Sequence, residues 1–231
     1  ARSRAAPRLA QGNALVGRCL LSLKERGVPL WRGTALRELL ADDTGVIGIV
    51  AERDGAVLRI RARRGVILAA GGFGSNAELR RSYLARCPDP ARSVAPAVNH
   101  GDAIAAGVRL GADTALMDEA WWIPVYRLHT SGVTFGMFFE RAFPGSIVVD
   151  RRGRRFMNEA ANYDAAGRAM ADAALAQGLD APSFMVFDAR YRSRYIAGPL
   201  KPSPPLADRL LRREVREMLF KAPTLDALSQ H

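Results

Sequence analysis

Cysteine, histidine and lysine are all scarce in this 231-residue chain, and each scarcity closes off a class of protein. Cys19 and Cys87 form no CxxC pair and no metal-ligand spacing, which argues against a disulfide framework and fits a reducing compartment; a cytoplasmic protein is expected. Cys19 falls on the apolar face of a predicted helix, so a buried thiol is expected there. His100, His129 and His231 complete no H-x-x-x-H or E-x-x-H set, and no metal is expected. The chain also lacks any run of about eighteen apolar residues and any signal-peptide pattern, so neither a membrane span nor export is expected.

The basic excess is of one kind. Lysine occurs only at 24, 201 and 221, yet the net charge is +11. A nucleic-acid binder clusters its cations on one face. Here the densest groups, Arg61 to Arg64, Arg151 to Arg155 and Arg209 to Arg216, fall at a strand end, a turn and a helix. Solvated faces are therefore expected, with no nucleic-acid partner. The length is enough to bury one large or two small domains.

The residues up to about Pro7 carry no pattern of their own. Asn13 reads as an N-cap, and Leu15, Val16, Cys19, Leu20 and Leu23 recur at helical spacing until Gly27. Val28 to Trp31 reads as a short strand, and Ala35 to Leu40 as strand or helix. Turn residues at 42–45 and Asp54-Gly55 then separate β-rich runs, and Asp-Gly between such runs signals a hairpin. A three-stranded meander is expected. Val66-Ile67-Leu68-Ala69-Ala70 follows as an uninterrupted apolar run, which predicts a strand buried on both faces. Gly71-Gly72 ends it, and Ser75 with Glu78 makes a capping box for the next helix, with Leu79 and Leu84 inward. A glycine turn before a helix start lets backbone approach a ligand closely and offers free N–H groups to an anion, or it is plain turn chemistry.

Beyond Cys87 the chain loops until Gly101-Asp102 opens a helix of small residues ending at Gly111; Asp102 reads either as its cap or as a ligand contact. Trp121-Trp122-Ile123-Pro124 and the segment Phe135 to Phe143 gather aromatics without clean periodicity, which reads as core or as a pocket for a flat apolar ligand. Ser146 to Val149 is a predicted strand, Asp164 to Gln177 a helix closed by Gly178, and Phe184 to Phe187 another strand. Prolines at 199, 202, 204 and 205 precede a predicted amphipathic helix with Leu206, Leu210, Leu211, Val215 and Leu219 on one side. Thr224 is expected to cap a new helix that is cut off at His231.

Four of these stretches, in order, resemble segments of one family. Ala69-Ala70-Gly71-Gly72-Phe73-Gly74 resembles the second FAD-contacting segment of the fumarate reductase and succinate dehydrogenase flavoprotein superfamily, in particular its 3-ketosteroid dehydrogenase-like branch. Gln11 to Val16 resembles the helix before the family's adenine-side strand, and Asn99-His100-Gly101-Asp102 its GDG turn, with Ala103 where a second glycine is usual. Gly153-Arg154-Arg155-Phe156-Met157-Asn158-Glu159 resembles its G-x-R-F-x-N-E signature. The family's opening strand–GxGxxG–helix is absent, as is its C-terminal flavin-covering segment, so the chain is expected to be the middle of a longer enzyme.

The resemblance implies an α/β fold: a partial FAD-binding Rossmann-like domain with an accessory β-meander over residues 1–124, then part of an α+β substrate (cap) domain over residues 125–231. FAD is the implied cofactor, touched by Leu36, Ala70, Gly71, Gly72 and Asp102. Leu36 would hold the adenine through its backbone, or else is an ordinary meander residue. Fumarate reductases carry an arginine about one turn after the N-E that grips a dicarboxylate. Here that stretch is Ala160-Ala161-Asn162-Tyr163. A tyrosine matches the ketosteroid dehydrogenase-like branch, in which it is the catalytic base; otherwise Tyr163 is a helix-start residue. Trp121, Trp122 and Phe139 are the candidate pocket for a hydrophobic small-molecule substrate. Because most of a dinucleotide site lies in the first βαβ unit, the 231-residue polypeptide alone is expected to bind FAD weakly or not at all. Titration of flavin fluorescence checks this, and tight stoichiometric binding would contradict it.

Overall fold

The computed structural model describes residues 9–179, 181–203 and 205–230. The expectations for the stretch up to Pro7, for Pro204 and for His231 lie outside the described residues. Two compact units divide at residues 67 and 68.

The first unit is a helix and a meander. Strands β1 (Thr34–Asp42), β2 (Gly45–Arg53) and β3 (Ala56–Arg61) pair antiparallel in sequence order. The Ala35 run is thus a strand. Asp54 and Gly55 stand alone between the paired residues Arg53 and Ala56, with φ of 52° and 79°. Two positive φ values in a two-residue loop match the twist of the strands it joins, and Asp-Gly adopts them readily. At the other hairpin Asp42 Oδ1 accepts from the Thr44 backbone N–H and from its hydroxyl, at 2.8 and 2.6 Å. Leu39, Val50 and Ala51 are the buried apolar side chains of this sheet, and Gly48 is buried with them.

Three local expectations fail in this unit. Residues 28–31 form no strand; the Trp31 ring instead lies 5.6 Å from the Arg53 guanidinium. Helix α1 (Gln11–Glu25) starts two residues before Asn13, after an extended Ala10 with no side-chain cap. Its apolar stripe is exposed, Leu15 by 66% and Val16 by 65%, and Cys19 is exposed rather than buried. Helical spacing says which residues share a face but not what covers that face.

The apolar run at 66–70, in which the boundary between the units falls, is not a strand, and Ile67 is 92% exposed. A ladder needs a partner, and no described strand pairs with it. Helix α2 (Ala77–Tyr83) is capped by Asn76, not Ser75: the Asn76 Oδ1 accepts from the N–H groups of Glu78 and Leu79, both at 3.0 Å. Ser75 points elsewhere, its hydroxyl donating to the Pro96 carbonyl. Leu84 is buried and Leu79 half-buried, as the pattern predicts. Helix α3 (Asp102–Arg109) starts after Gly101, and Ala103, Ala106 and Gly107 form its buried face.

Two antiparallel strand pairs follow, β4 (Val125–Arg127) with β5 (Thr134–Gly136), and β6 (Ser146–Val149) with β7 (Phe184–Phe187). Between β6 and β7 runs helix α4 (Tyr163–Gln177), capped by the Asn162 side chain on the Ala165 N–H, not by Asp164, and closed by Gly178 at φ 99°. Short α5 (Ala189–Arg194) supplies Tyr191, 1% exposed, to a core with Ala197, Leu200 and Val215. The Tyr191 hydroxyl is shared between the carbonyls of Glu140 and Ile196, at 2.6 and 2.9 Å. Burial pushes this phenol up to about 12.

The predicted amphipathic helix after the prolines is broken. It becomes a 3₁₀ turn over Pro205–Leu210, then α6 (Arg213–Arg216), with Arg212 extended between them. Leu211, Val215 and Leu219 face the Tyr191 core, while Leu210 is 88% exposed. An ion pair between Arg192 and Asp208 at 2.7 Å holds the 3₁₀ turn against α5. The last helix among the described residues is α7 (Leu225–Leu228), capped by Thr224.

The Gly153 to Glu159 segment folds back on β6. Asp150 accepts from the N–H groups of Arg152 and Arg154 at 2.8 and 2.9 Å and from Gln177 Nε2 at 3.1 Å. Glu159, 5% exposed, receives Arg155 Nε at 3.0 Å and the buried Val148 N–H at 2.9 Å. The Arg155 guanidinium, then the Val148 N–H, outweigh the burial that opposes them and pull its carboxyl down from 4.5 to about 2.

A carboxyl depressed on folding stabilises the protein fully above its unfolded value, near 4.5, and loses that contribution as pH falls towards 2. Glu159→Gln should therefore flatten the loss of stability between those two pH values, measured by urea unfolding. Glu159→Ala should cost about 3 kcal/mol at neutral pH, because it also leaves the Val148 N–H without an acceptor. Equal acid sensitivity in wild type and Glu159→Gln would contradict this role.

Candidate active site

The glycine segment and the Gly101 turn come together although about thirty residues of chain separate them. The Ser75 N–H donates to the Asn99 carbonyl at 3.0 Å, and Asn76 Nδ2 to the His100 carbonyl at 2.9 Å. A Cβ on Gly101 would stand 2.8 Å from Leu79 and 3.0 Å from Phe73, so this turn seats directly on the glycine segment. Gly71 has φ 78°, and a Cβ there would press on the Asn99 amide at 3.0 Å. Gly72 differs from its neighbours. A Cβ on it would meet nothing within 4 Å, and the residue lines a cavity of about 1360 Å³. Its backbone is thus open to a ligand's approach. The α2 N-terminus is less open than the sequence suggests, because the Asn76 side chain already occupies two of its N–H groups.

Another part of the same cavity wall is aromatic. Tyr163, the first residue of α4, lines it with Trp121, Trp122 and Phe138. The Tyr163 ring stacks on Trp121 at 6.2 Å and 26° and meets Phe138 edge-on at 5.5 Å and 79°. Trp121 is 79% exposed, whereas Trp122 is buried at 7%. A closed set of polar contacts fixes Trp122 to α4. The Trp122 N–H donates to Asp164 Oδ1 at 3.0 Å, and its indole N–H to Glu119 at 3.2 Å. Arg168 then bridges Glu119 at 2.7 Å and Asp164 at 3.8 Å. The Arg168 hydrogen bond and that of Trp122 hold the Glu119 carboxyl below its ordinary value.

Of the residues expected at a site, Gly72, Trp121, Trp122 and Tyr163 line one cavity, and Asp102 stands at the first position of α3 beside the glycine segment, exposed. Ala70 and Gly71 lead into Gly72 and are exposed. Leu36 lies on β1 of the first unit, half-buried. Phe139 does not line the cavity; it packs edge-on against Phe143 at 5.8 Å, and its neighbour Phe138 faces Tyr163 instead. Where an irregular segment carries two adjacent phenylalanines, the sequence has no period to tell which one turns inward. Glu119, Asp164 and Arg168 were not anticipated by sequence reasoning. The i, i+4 spacing of Asp164 and Arg168 is the one signal that pointed to part of this set.

The FAD binding domain family matches residues 1–220. A 3-oxosteroid 1-dehydrogenase of Mycolicibacterium smegmatis is 37% identical over 228 residues, covering 95% of this chain and 39% of the relative. The structure of 3-ketosteroid delta1-dehydrogenase from Sterolibacterium denitrificans, in complex with 1,4-androstadiene-3,17-dione, superposes with a TM-score of 0.77 at 40% identity, over 83% of this chain and 35% of that one. The open conformation of a flavocytochrome c3 fumarate reductase shares the fold, with a TM-score of 0.60 at 21% identity over 98% of this chain and 37% of that chain. The chain therefore spans well under half the length of the proteins it matches. With its mixed α/β architecture and its glycine segment open to a ligand at Gly72, the chain belongs to the FAD binding domain family of flavoproteins, on the side of that family where the 3-oxosteroid dehydrogenases lie.

Proposed function

We propose that this chain contributes the aromatic substrate wall and part of the cofactor wall of an FAD-dependent dehydrogenase that oxidises a flat, uncharged cyclic ketone of steroid type. The carrying observation is the placement of Tyr163 on the cavity wall between Trp121 and Phe138. Three aromatic rings offer a flat apolar ligand contact area with a single hydroxyl among them, which suits a ring ketone. A dicarboxylate needs a guanidinium instead. Residues 160–163 hold no arginine, and Arg168, further along α4, is engaged by Glu119. Of the arginines on the cavity wall, Arg86 is paired with Asp172 at 3.1 Å, Arg80 donates to the Cys87 carbonyl and Arg127 to the Gly132 carbonyl.

Gly72 and the adjoining Ala70 and Gly71 would face the cofactor, with Asp102 at the turn beside them and Leu36 reading the adenine through its backbone. When bound, FAD supplies the hydride acceptor that no side chain can provide. The Tyr163 oxygen takes the proton from the carbon next to the ketone. The electron pair of that C–H bond becomes the new C=C bond as the adjacent carbon gives up its hydride. The stack on Trp121 and the edge contact of Phe138 orient the phenol for this step. In this reading residues 1–124 are the FAD-contacting portion, residues 125–231 cover the substrate, and free Cys19 and Cys87 fit the reducing cytoplasm.

In the FAD-loaded enzyme that contains this chain, Tyr163→Phe should lower turnover of a 3-ketosteroid with an artificial electron acceptor by about 100-fold or more, with flavin content unchanged. Fumarate with a reduced dye should not turn over. Undiminished ketone oxidation in Tyr163→Phe, or turnover of fumarate without ketosteroid oxidation, would overturn the proposal.

A further inference from the structure

We propose that Arg141 is a positioning residue that sets the spacing between Tyr163 and Phe138; this rests on the reading of Tyr163 given above. Arg141 is 3% exposed and does not line the cavity. Its guanidinium donates from Nη1 to the Phe138 carbonyl at 2.8 Å and from Nη2 to the Ala161 carbonyl. One planar group thus bridges the two segments that carry the facing rings. Residue 138 bears one ring, and residue 161 lies two positions before the other.

The brace is itself anchored in the core. Its turn, Glu140–Ala142, is held at the Glu140 carbonyl by the buried Tyr191 hydroxyl at 2.6 Å. The Ser146 hydroxyl, at the start of β6, donates to the Arg141 carbonyl at 3.1 Å. A continuous line of contacts therefore runs from the Tyr191 core through Arg141 to the rings.

Packing alone does not account for an arginine here. Burying a cation is costly, and Nε finds no partner among the described residues. A methionine or leucine would fill the volume without that cost. Neither could hold two carbonyls at a fixed separation. A lysine would keep the charge, but its point-like ammonium lacks the rigid fork that spans both acceptors.

The test uses the 231-residue chain labelled with ¹³C-tyrosine, whose five tyrosine ring signals are read by NMR. The Tyr163 signal is assigned by its loss in Tyr163→Phe. In Arg141→Lys and Arg141→Gln, the Tyr163 signal should move towards the free-tyrosine position and broaden, while the Tyr191 and Tyr195 signals hold. In the FAD-loaded enzyme, Arg141→Lys should lower kcat by about 100-fold, the scale of a misplacement near 1 Å, with KM changed far less. An unmoved Tyr163 signal overturns the brace, and so does a uniform shift of all five tyrosines, which would make Arg141 an ordinary core residue. Intact turnover in Tyr163→Phe would instead defeat the reading of the reaction while the ring signals still report the brace.

Discussion

One buried carboxylate governs where the candidate catalytic residue stands. Glu159 accepts the Val148 backbone N–H from β6 and the Arg155 side chain from its own loop. Four residues later the chain enters α4 at Tyr163. A loop tied at Glu159 and capped at Asn162 leaves the residue between cap and first turn little freedom. The G-x-R-F-x-N-E signature is explained in this chain as a staple. Gly153 turns the chain, Arg155 and Glu159 pair, and Asn158 accepts the Ala160 N–H at 3.0 Å.

On this frame the cavity is built from two walls of different chemistry. The glycine wall exposes backbone at Gly72 and is stitched to the Gly101 turn by Ser75 and Asn76. The aromatic wall is stitched to α4 by Glu119, Asp164 and Arg168. In each wall polar side chains hold in place the segment that presents the backbone of Gly72 or the aromatic rings. Several of the arginines that give the chain its basic balance are likewise engaged in holding loops, Arg155 on Glu159, Arg168 on Glu119 and Arg192 on Asp208.

The features legible in the sequence are those decided locally. Asp54-Gly55 dictates its hairpin because two positive φ values are needed and those residues tolerate them. Gly178 closes α4 and Thr224 opens α7 for similarly local reasons. The ordered glycine, GD and N-E motifs pointed to the flavoprotein family, and the family match agrees. What was not legible depends on distant partners. The run at 66–70 has the composition of a buried strand but no described strand to pair with, and the stripe on α1 has the right period but stays exposed. Asn76 displaced Ser75 as a cap because Ser75 was recruited by Pro96, twenty-one residues away. The choice of Phe138 over Phe139, and the bridging by Arg141, come from the fold of an irregular segment that carries no periodic signal.

The central claim is that the Tyr163 oxygen acts on the carbon next to a ring ketone. Proton removal can be followed separately from oxidation by incubating the FAD-loaded enzyme with a 3-ketosteroid in deuterated water and reading isotope uptake at that carbon in recovered, unoxidised ketone. The account predicts uptake above the uncatalysed rate with wild type and its loss in Tyr163→Phe. Undiminished uptake in Tyr163→Phe would contradict it.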